Sequence, residues 1–441
     1  MDDTLFELLP TEPTEPAEAP RGTPRIQRPN RSQLELRSVD LDGLLPTDHR
    51  ARLVWEFVSG LDLSRLYAQI RATQGGPGRP PIDPAILTAL WLYATIEAVG
   101  SARALDRLCT EHDAYRWLCG GVSVNYHTLA EFRVAHGELF DRLLTESVAA
   151  LIAEGLVTLG RVAQDGIRVR ASAGSGTFRR RDALTAALAR AEAQVAALRR
   201  ELDDDPAATS RRVAAARERA AAERRERVRR ALDRLPALEE RKRKPTHKGK
   251  TKAAHVSTTD PDAAVMRMAD GGYRPAYNTQ LATDVGSQII VGLAVAAETD
   301  PVMLGPMVDQ LRGRYGRAPT EHLVDGGFRN LREIERLAAG GTTIFMPVPK
   351  PRTTARDPRH PVYRDTPAVI DWRVRMGTEA AKQIYRERAA SAECVNALAR
   401  NRGLHAFRVR GEHKVRAVTI WFALAHNLLR AITLRAAAQA T

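Results

Sequence analysis

Between residues 256 and 350 the apolar pattern switches repeatedly between a two-residue and a 3.6-residue period, and this restricts the fold more than any other feature of the chain. "AYNTQLATD" and "SQIIVGLAVAAETD" predict two strands joined by the turn "DVGS", in which Asp284 serves as a hairpin aspartate. "PVMLGPMVDQLRGRYG" predicts a helix, "EHLVDGGF" a short strand ending at Asp325, "NLREIERLAAGG" a helix with a glycine stop, and "TTIFMPV" another strand. Asp260 and Asp300 precede prolines and read as turn or cap residues. Upstream, "VTLGRVAQDGIRVRASA" (157–173) is rich in Val and Ile, alternates, and places Asp165 in a strand or at a tight turn with Gly166. Strands alternating with helices predict an α/β fold built on a mixed sheet.

The remaining segments differ from this pattern. Residues 1–45 run from an acidic Pro/Thr/Glu stretch to a basic one with few large apolar groups, the composition of a disordered tail. Residues 46–150 repeat apolar positions every three or four and predict a helical domain suited to binding DNA, with Asp83 as N-cap and Pro84 in the first turn of one helix. "GGPGRPP" is a stiff linker that could also lay Arg79 in a minor groove. Residues 151–178 begin the sheet domain and 251–441 complete it. Between them, 179–250 carries a 3.5-residue seam (Leu184, Leu188, Ala191, Val195, Leu198, Leu202), a break at Pro206 and a second helix to about Leu235. This predicts an inserted helical hairpin, followed by the basic linker "ERKRKPTHKGKTK".

The formal net charge is +14 and the pI about 10.1, a surplus that favours a polyanionic partner such as nucleic acid. Three cysteines without a CxxC pair argue against a disulfide framework or a cysteine zinc site and fit a reducing cytoplasm. The start lacks a signal-peptide pattern. The most apolar run, "AVTIWFALAHNLL", is shorter than a membrane span and is interrupted by His426 and Asn427, so it reads as a helix packed on the sheet.

The chemistry centres on "YRERAASAECVNALARNRGL" (385–404). On a helical wheel Ile384, Ser391, Val395 and Leu398 share one stripe, while Glu393, Asn396 and Arg400 fall on the other side. A helix laid against the sheet would bring Glu393 towards Asp165 and towards Asp325, whose neighbours Gly326 and Gly327 allow close backbone approach. Three adjacent carboxylates call for neutralisation by hard divalent cations, magnesium or manganese. Two such ions would serve phosphodiester chemistry. Each acid taken singly reads more often as a surface charge or turn residue than as a metal ligand.

At these residues the sequence resembles the DDE transposases of bacterial insertion sequences, in the group with a Tyr-x2-Arg-x3-Glu-x6-Lys signature. Tyr385 and Arg388 keep the first spacing, Glu393 comes one residue late, and Arg400 stands where the signature has lysine. "VAQDGIRVRASA" is similar to the family's first-aspartate strand and "HLVDGGF" to its second. The resemblance implies a ribonuclease H-like core and catalytic, metal-holding roles for Asp165, Asp325 and Glu393, with two Mg2+ or Mn2+ ions. It also implies DNA contacts from Tyr385, Arg388 and Arg400, which Asn396 joins by its place on the same face. The expected partners are the terminal inverted repeats, target DNA and a second copy of the chain. Two other readings stay open: a catalytically silent DNA-binding relative or regulator, and a ribonuclease H-like nuclease without strand transfer.

Overall fold

The computed structural model of the protein describes residues 40–72, 80–204, 211–243, 253–349 and 357–440, together with Ser32. The chain from Leu41 onward forms one compact unit. Most of the expected tail, Arg79 and most of the basic linker lie outside the described residues.

The first part is helical: α1 Arg50–Ser59, α2 Ser64–Tyr67, α3 Pro84–Ile96, α4 Ala102–Glu111, α5 Asp113–Cys119, α6 Tyr126–Ala135 and α7 Gly137–Ala153. The Asp83 carboxylate caps α3 by accepting from the Ala85 N–H, and Pro84 occupies the first helical position. Almost every residue of α3 is buried, so it forms the centre of the helical layer and not an amphipathic rim.

The long strand β1 (Arg161–Arg170) follows, then β2 (Phe178–Arg179). Helices α8 (Arg181–Asp204) and α9 (Arg211–Arg243) come next, then β3 (Val256–Ser257) and β4 (Ala264–Arg267). The ion pairs Arg181–Glu239, Arg229–Glu192 and Arg199–Glu218 run in opposite senses along α8 and α9, so the two helices lie antiparallel. Leu184, Ala191 and Val195 of the predicted seam are buried. The second helix continues past the expected stop at Leu235 to Arg243 with Pro236 inside it. β2 and β3 pair antiparallel at the root of these helices (Phe178 with Ser257, Arg179 with Val256), reinforced by a 2.7 Å hydroxyl contact between Thr177 and Ser257.

β5 (Tyr273–Asp284) and β6 (Ile290–Ala296) form the expected hairpin. The Asp284 carboxylate accepts from the Ser287 N–H and hydroxyl and from the Leu159 N–H, the satisfied turn aspartate its sequence suggests. Then come α10 (Leu304–Tyr315), β7 (Glu321–Leu323), α11 (Leu331–Ala339) and β8 (Thr343–Phe345). The C-terminal part holds α12 (Pro367–Arg375), α13 (Glu379–Arg388), α14 (Cys394–Asn401) and α15 (Glu412–Gln439).

β1 lies at the centre of the main sheet, antiparallel to β5 on one side and parallel to β7 on the other, with β8 parallel beyond β7. β4 and β6 both pair with β5, at different ends. The result is a mixed α/β fold, consistent with the ribonuclease H-like core that the resemblance implies. β5 is buried on both faces from Pro275 onward, as a strand with neighbours on both sides requires.

α15 is long and apolar enough to cross a membrane by those measures alone, yet 72% of its apolar window is buried within the fold. The interruptions His426 and Asn427 are its attachment to the sheet. Asn427 accepts from the Ile290 N–H and donates to the Ile290 carbonyl, both at 2.8 Å, and His426 Nε2 lies 2.9 Å from the Gln288 carbonyl. On its other side Trp421 donates to the Arg133 carbonyl and packs against Phe140, the ring centres 4.2 Å apart and the planes tilted by 45°. One hydrophobic core therefore runs from Trp91 and Phe140 through Trp421 to Tyr277 and Leu293, while a second gathers Leu323, Phe328, Ile344 and Trp372.

Replacing Asn427 with alanine would orphan both backbone groups of Ile290 in a dry setting, at about 1–3 kcal/mol each. Denaturant unfolding of Asn427→Ala is expected to show a loss of that order; an unchanged midpoint would mean that α15 is held by apolar packing alone.

Candidate active site

The site forms where the helical run that starts at Glu379 crosses the centre of β1. Arg161, the first residue of β1, donates to Glu387 at 2.6 Å and to Glu321 of β7, pinning α13 to the sheet. After Arg388 the helix does not continue as α. Residues Ala389–Glu393 form a π turn, and α14 follows from Cys394. A π turn accommodates one extra residue per helical turn. Arg388 and Glu393, five apart, therefore face each other as residues four apart would on an α-helix. The late position of Glu393 relative to the signature is thus absorbed in the backbone. Gln288, in the β5–β6 turn with φ +58°, donates from its side-chain amide to the Ala390 carbonyl within the π turn.

Arg388 binds two carboxylates. Its Nη2 lies 3.0 Å from Asp165 Oδ2 and its Nη1 donates to Glu393 Oε1 at 2.7 Å. The Arg388 side chain is 9% exposed and that of Asp165 17%, while Glu393 is 56% exposed and reaches from the rim. Asn396 Nδ2 donates to Asp165 Oδ2 at 3.0 Å, across 231 residues of sequence, and the Gly166 N–H donates to Asp165 Oδ1. Asn396 is buried, although the wheel sets it beside the exposed Glu393 and Arg400. Its part of that face lies against β1, a neighbour that a wheel of one helix does not show.

Burial pushes the Asp165 carboxyl above its ordinary range. Arg388 and the Gly166 N–H pull it back, and Asp325 and Asp300 raise it further. Burial also works against the Arg388 charge, but Asp165, Tyr385, Asp325 and Glu393 together raise its pKa. Burial thus sets the direction for Asp165, and the surrounding negative groups set it for Arg388. Tyr385, partly buried, has its phenol raised by burial and by the same carboxylates, and so stays a hydrogen-bond donor at neutral pH.

Asp325 caps a short 3-10 turn, Gly326–Phe328, by accepting from the Gly327 N–H at 2.8 Å. It makes no direct bond to Asp165 or Glu393 and is joined to them through the field that acts on Asp165 and Arg388. Arg400 is exposed on α14 and has no ion pair to these acids. Among the described residues no group of three potential ligands is close enough to hold a metal ion.

Several participants were not singled out from sequence. Asp300 opens a 3-10 turn, in keeping with a turn residue, but its carboxylate also accepts from Asn278 and Gln280 at 2.8 Å each and lies 3.5 Å from Arg168. Gln280 in turn accepts from Gln164, and Gln164 meets the buried His322 at 3.0 Å. Burial pushes that histidine down to about 3, so it is neutral. This polar chain crosses β5, β1 and β7 where Gly166 leaves room: a Cβ there would lie 2.3 Å from Gln280 and 2.6 Å from Asn278. Polar residues inside strands read as an exposed face, so no local signal reveals the chain.

In chelator-treated protein, Arg388→Ala leaves Asp165 buried with only dipolar partners and raises its carboxyl further. A folded-state pKa above the unfolded value of about 3.9 means stability is kept at low pH and lost as pH rises through the folded value. The deficit of Arg388→Ala against the parent, about 3–5 kcal/mol for breaking a buried pair, is therefore expected to be larger at pH 7.5 than at pH 4.5. Equal deficits in denaturant unfolding at the two pH values would contradict the pairing.

Residues 39–135 match the family model described as Transposase domain (DUF772), and residues 353–432 match the one described as Transposase DDE domain. The second span contains Tyr385, Arg388, Glu393, Asn396 and Arg400; Asp165 and Asp325 lie outside both. No curated protein and no solved structure matches the chain. Two regions similar to transposase domains thus flank a mixed sheet, and Arg388 of the second joins Asp165 of that sheet to Glu393; both matches support a DDE transposase of the insertion-sequence kind.

Proposed function

We propose that this transposase binds the terminal inverted repeats of its element, cleaves DNA at the element ends and joins them to target DNA, with Asp165, Asp325 and Glu393 as the carboxylates of the reaction centre. The observation that carries this reading is the Arg388 bridge, which sets a carboxylate of β1 beside one of the π turn. The helical region 46–150 is taken as the DNA-binding part, 151–178 with 251–441 as the catalytic core, and 179–250 as an insertion. The active form is taken as a homodimer, one copy per element end, working in the cytoplasm on the nucleoid.

The donor chemistry suits Mg2+ or Mn2+: carboxylates only, one of them buried with a raised pKa and under repulsion from two further aspartates. The arrangement is not closed around an ion, because the Arg388 guanidinium lies between Asp165 and Glu393. When bound, one or two such ions would polarise the phosphodiester and the attacking water or hydroxyl.

The chain's own residues do the rest. Arg388, Asn396 and the Gly166 N–H fix the Asp165 carboxylate in one orientation. Glu393 reaches from the rim, so it can turn from Arg388 to a substrate without moving backbone. Tyr385 keeps its proton and can donate to a phosphate oxygen. Arg400, exposed and unpaired with these acids, offers a fork to a phosphate further along the strand.

Labelled element-end DNA incubated with purified protein and magnesium tests this reading. Nicking at the ends followed by joining is expected. Binding without cleavage would favour the silent or regulatory relative, and unspecific cutting without joining the simple nuclease. Asp325→Asn is expected to abolish cleavage while DNA affinity stays within a few-fold; collapse of binding as well would make Asp325 structural. Deleting Ala390 removes the residue that the π turn absorbs and leaves Arg388 and the glutamate four apart on an α-helix. Cleavage is therefore expected to survive the deletion within about tenfold, and complete loss would contradict the equivalence of the two turns.

A further inference from the structure

A second concentration of positive charge lies away from the carboxylates, in a cavity of about 210 Å³ between α6 and the segment that leads from α14 to α15. Arg133, Arg402 and Arg408 line it, with Gly100 and His405. Among the described residues none of the three arginines has an ion-pair partner. Arg133 donates from Nη1 to the Gly100 carbonyl at 2.8 Å and lies over the Trp91 ring at 4.4 Å, but its Nε is buried with no acceptor. Arg402 likewise has a buried Nη1 with no acceptor. Arg408 runs over Gly100, its Nε 3.8 Å from where a Cβ would stand. The acid that bears on Arg402 is Glu97, itself paired with Arg50 at 3.7 Å.

Burial, then Arg408, push the Arg133 guanidinium down to about 10, which still leaves it charged at neutral pH. Burial, then Arg50, also lower Arg402. Unpaired guanidinium groups are costly to bury and repel one another. All three side chains line one space that holds several water-sized molecules. Three forks approaching from different elements suit a tetrahedral oxyanion, which offers acceptors in several directions, better than a planar carboxylate.

We propose that this cavity binds a phosphate group. The cavity joins residues of the two transposase regions, Arg133 from the first and Arg402 to Arg408 from the second. It is also tied to the strand that carries Asp165. Arg170, at the end of β1, donates its N–H to the His405 carbonyl and accepts from the Phe407 N–H. Five residues of strand at about 3.3 Å each separate Arg170 from Asp165, a length that a duplex covers in roughly five base pairs. The phosphate is thus placed to be one of the DNA backbone flanking the cleavage point. That source rests on the transposition reading; the phosphate site itself does not.

The test uses the full chain and Arg402→Ala/Arg408→Glu, leaving Arg133 in place because its Trp91 and Gly100 contacts support the fold. Thermal unfolding is followed in sodium phosphate and in sodium chloride of equal ionic strength. Binding to a short duplex is measured across salt concentrations. The parent is expected to gain a few degrees in phosphate over chloride, and the variant to lose that gain. The slope of log affinity against log salt is expected to fall by about 0.9 in the variant for each phosphate contact removed. A changed slope identifies the phosphate as that of DNA. A lost thermal gain with an unchanged slope identifies a small phosphate-bearing ligand. Identical thermal gains and identical slopes in parent and variant overturn the proposal. A parent that binds no duplex would refute the transposition reading, while the thermal comparison would still decide the cavity.

Discussion

The guanidinium of Arg388 keeps two carboxylates together that would otherwise repel: Asp165, fixed in the middle of a sheet, and Glu393, on the helical run laid across it. Neither element could bring its acid to the other without a cation between them, since burial already disfavours the Asp165 charge. Three constraints on the backbone meet at this point. Asn396 is oriented onto Asp165, the π turn is phased to bring Arg388 and Glu393 face to face, and Arg161 anchors the preceding helix. One arginine partly offsets the charge of these carboxylates and so does part of what a divalent ion would do for the same oxygens.

The surrounding architecture makes that arrangement stiff. α15 is bonded to the sheet through Asn427 and to the helical layer through Trp421, so the N-terminal helices and the sheet share one apolar interior. A duplex gripped by the helical layer would be held at a set distance from the carboxylates, without relying on a flexible linker. The arginine-lined cavity lies at the same junction, where the two transposase regions touch.

Much of the frame could be read from sequence. Alternating periods placed the strands and helices of the sheet region, Asp83 and Pro84 marked the start of α3, and the 3.5-residue seam marked α8. What escaped did so for physical reasons. His426 and Asn427 looked like interruptions of an apolar helix, because a side chain that satisfies a strand's backbone is indistinguishable in sequence from one facing water. Asn396 was set beside Glu393, away from the core stripe, and that side proved to lie against β1, which a wheel of one helix cannot show. The chain His322–Gln164–Gln280–Asn278–Asp300 is assembled from residues on three strands and a turn, and no local pattern encodes such a contact. Arg388 was read as a phosphate ligand. Its ion pair with Asp165, 223 positions away, is a contact that a linear reading cannot weigh.

The two-residue ribbon of β2 and β3 closes the root of the helical pair like the neck of a drawstring bag. The chain leaves the sheet domain and re-enters it at adjacent points, whatever lies beyond the neck. Arg230 and Arg234 of α9 also hold Asp262, and Arg241 holds Glu298, so it is the outer part of the α8–α9 pair, beyond these ion pairs, that can lengthen or shorten while the path from β1 to β4 stays as it is. That outer part can diverge in shape without disturbing the Arg388 bridge.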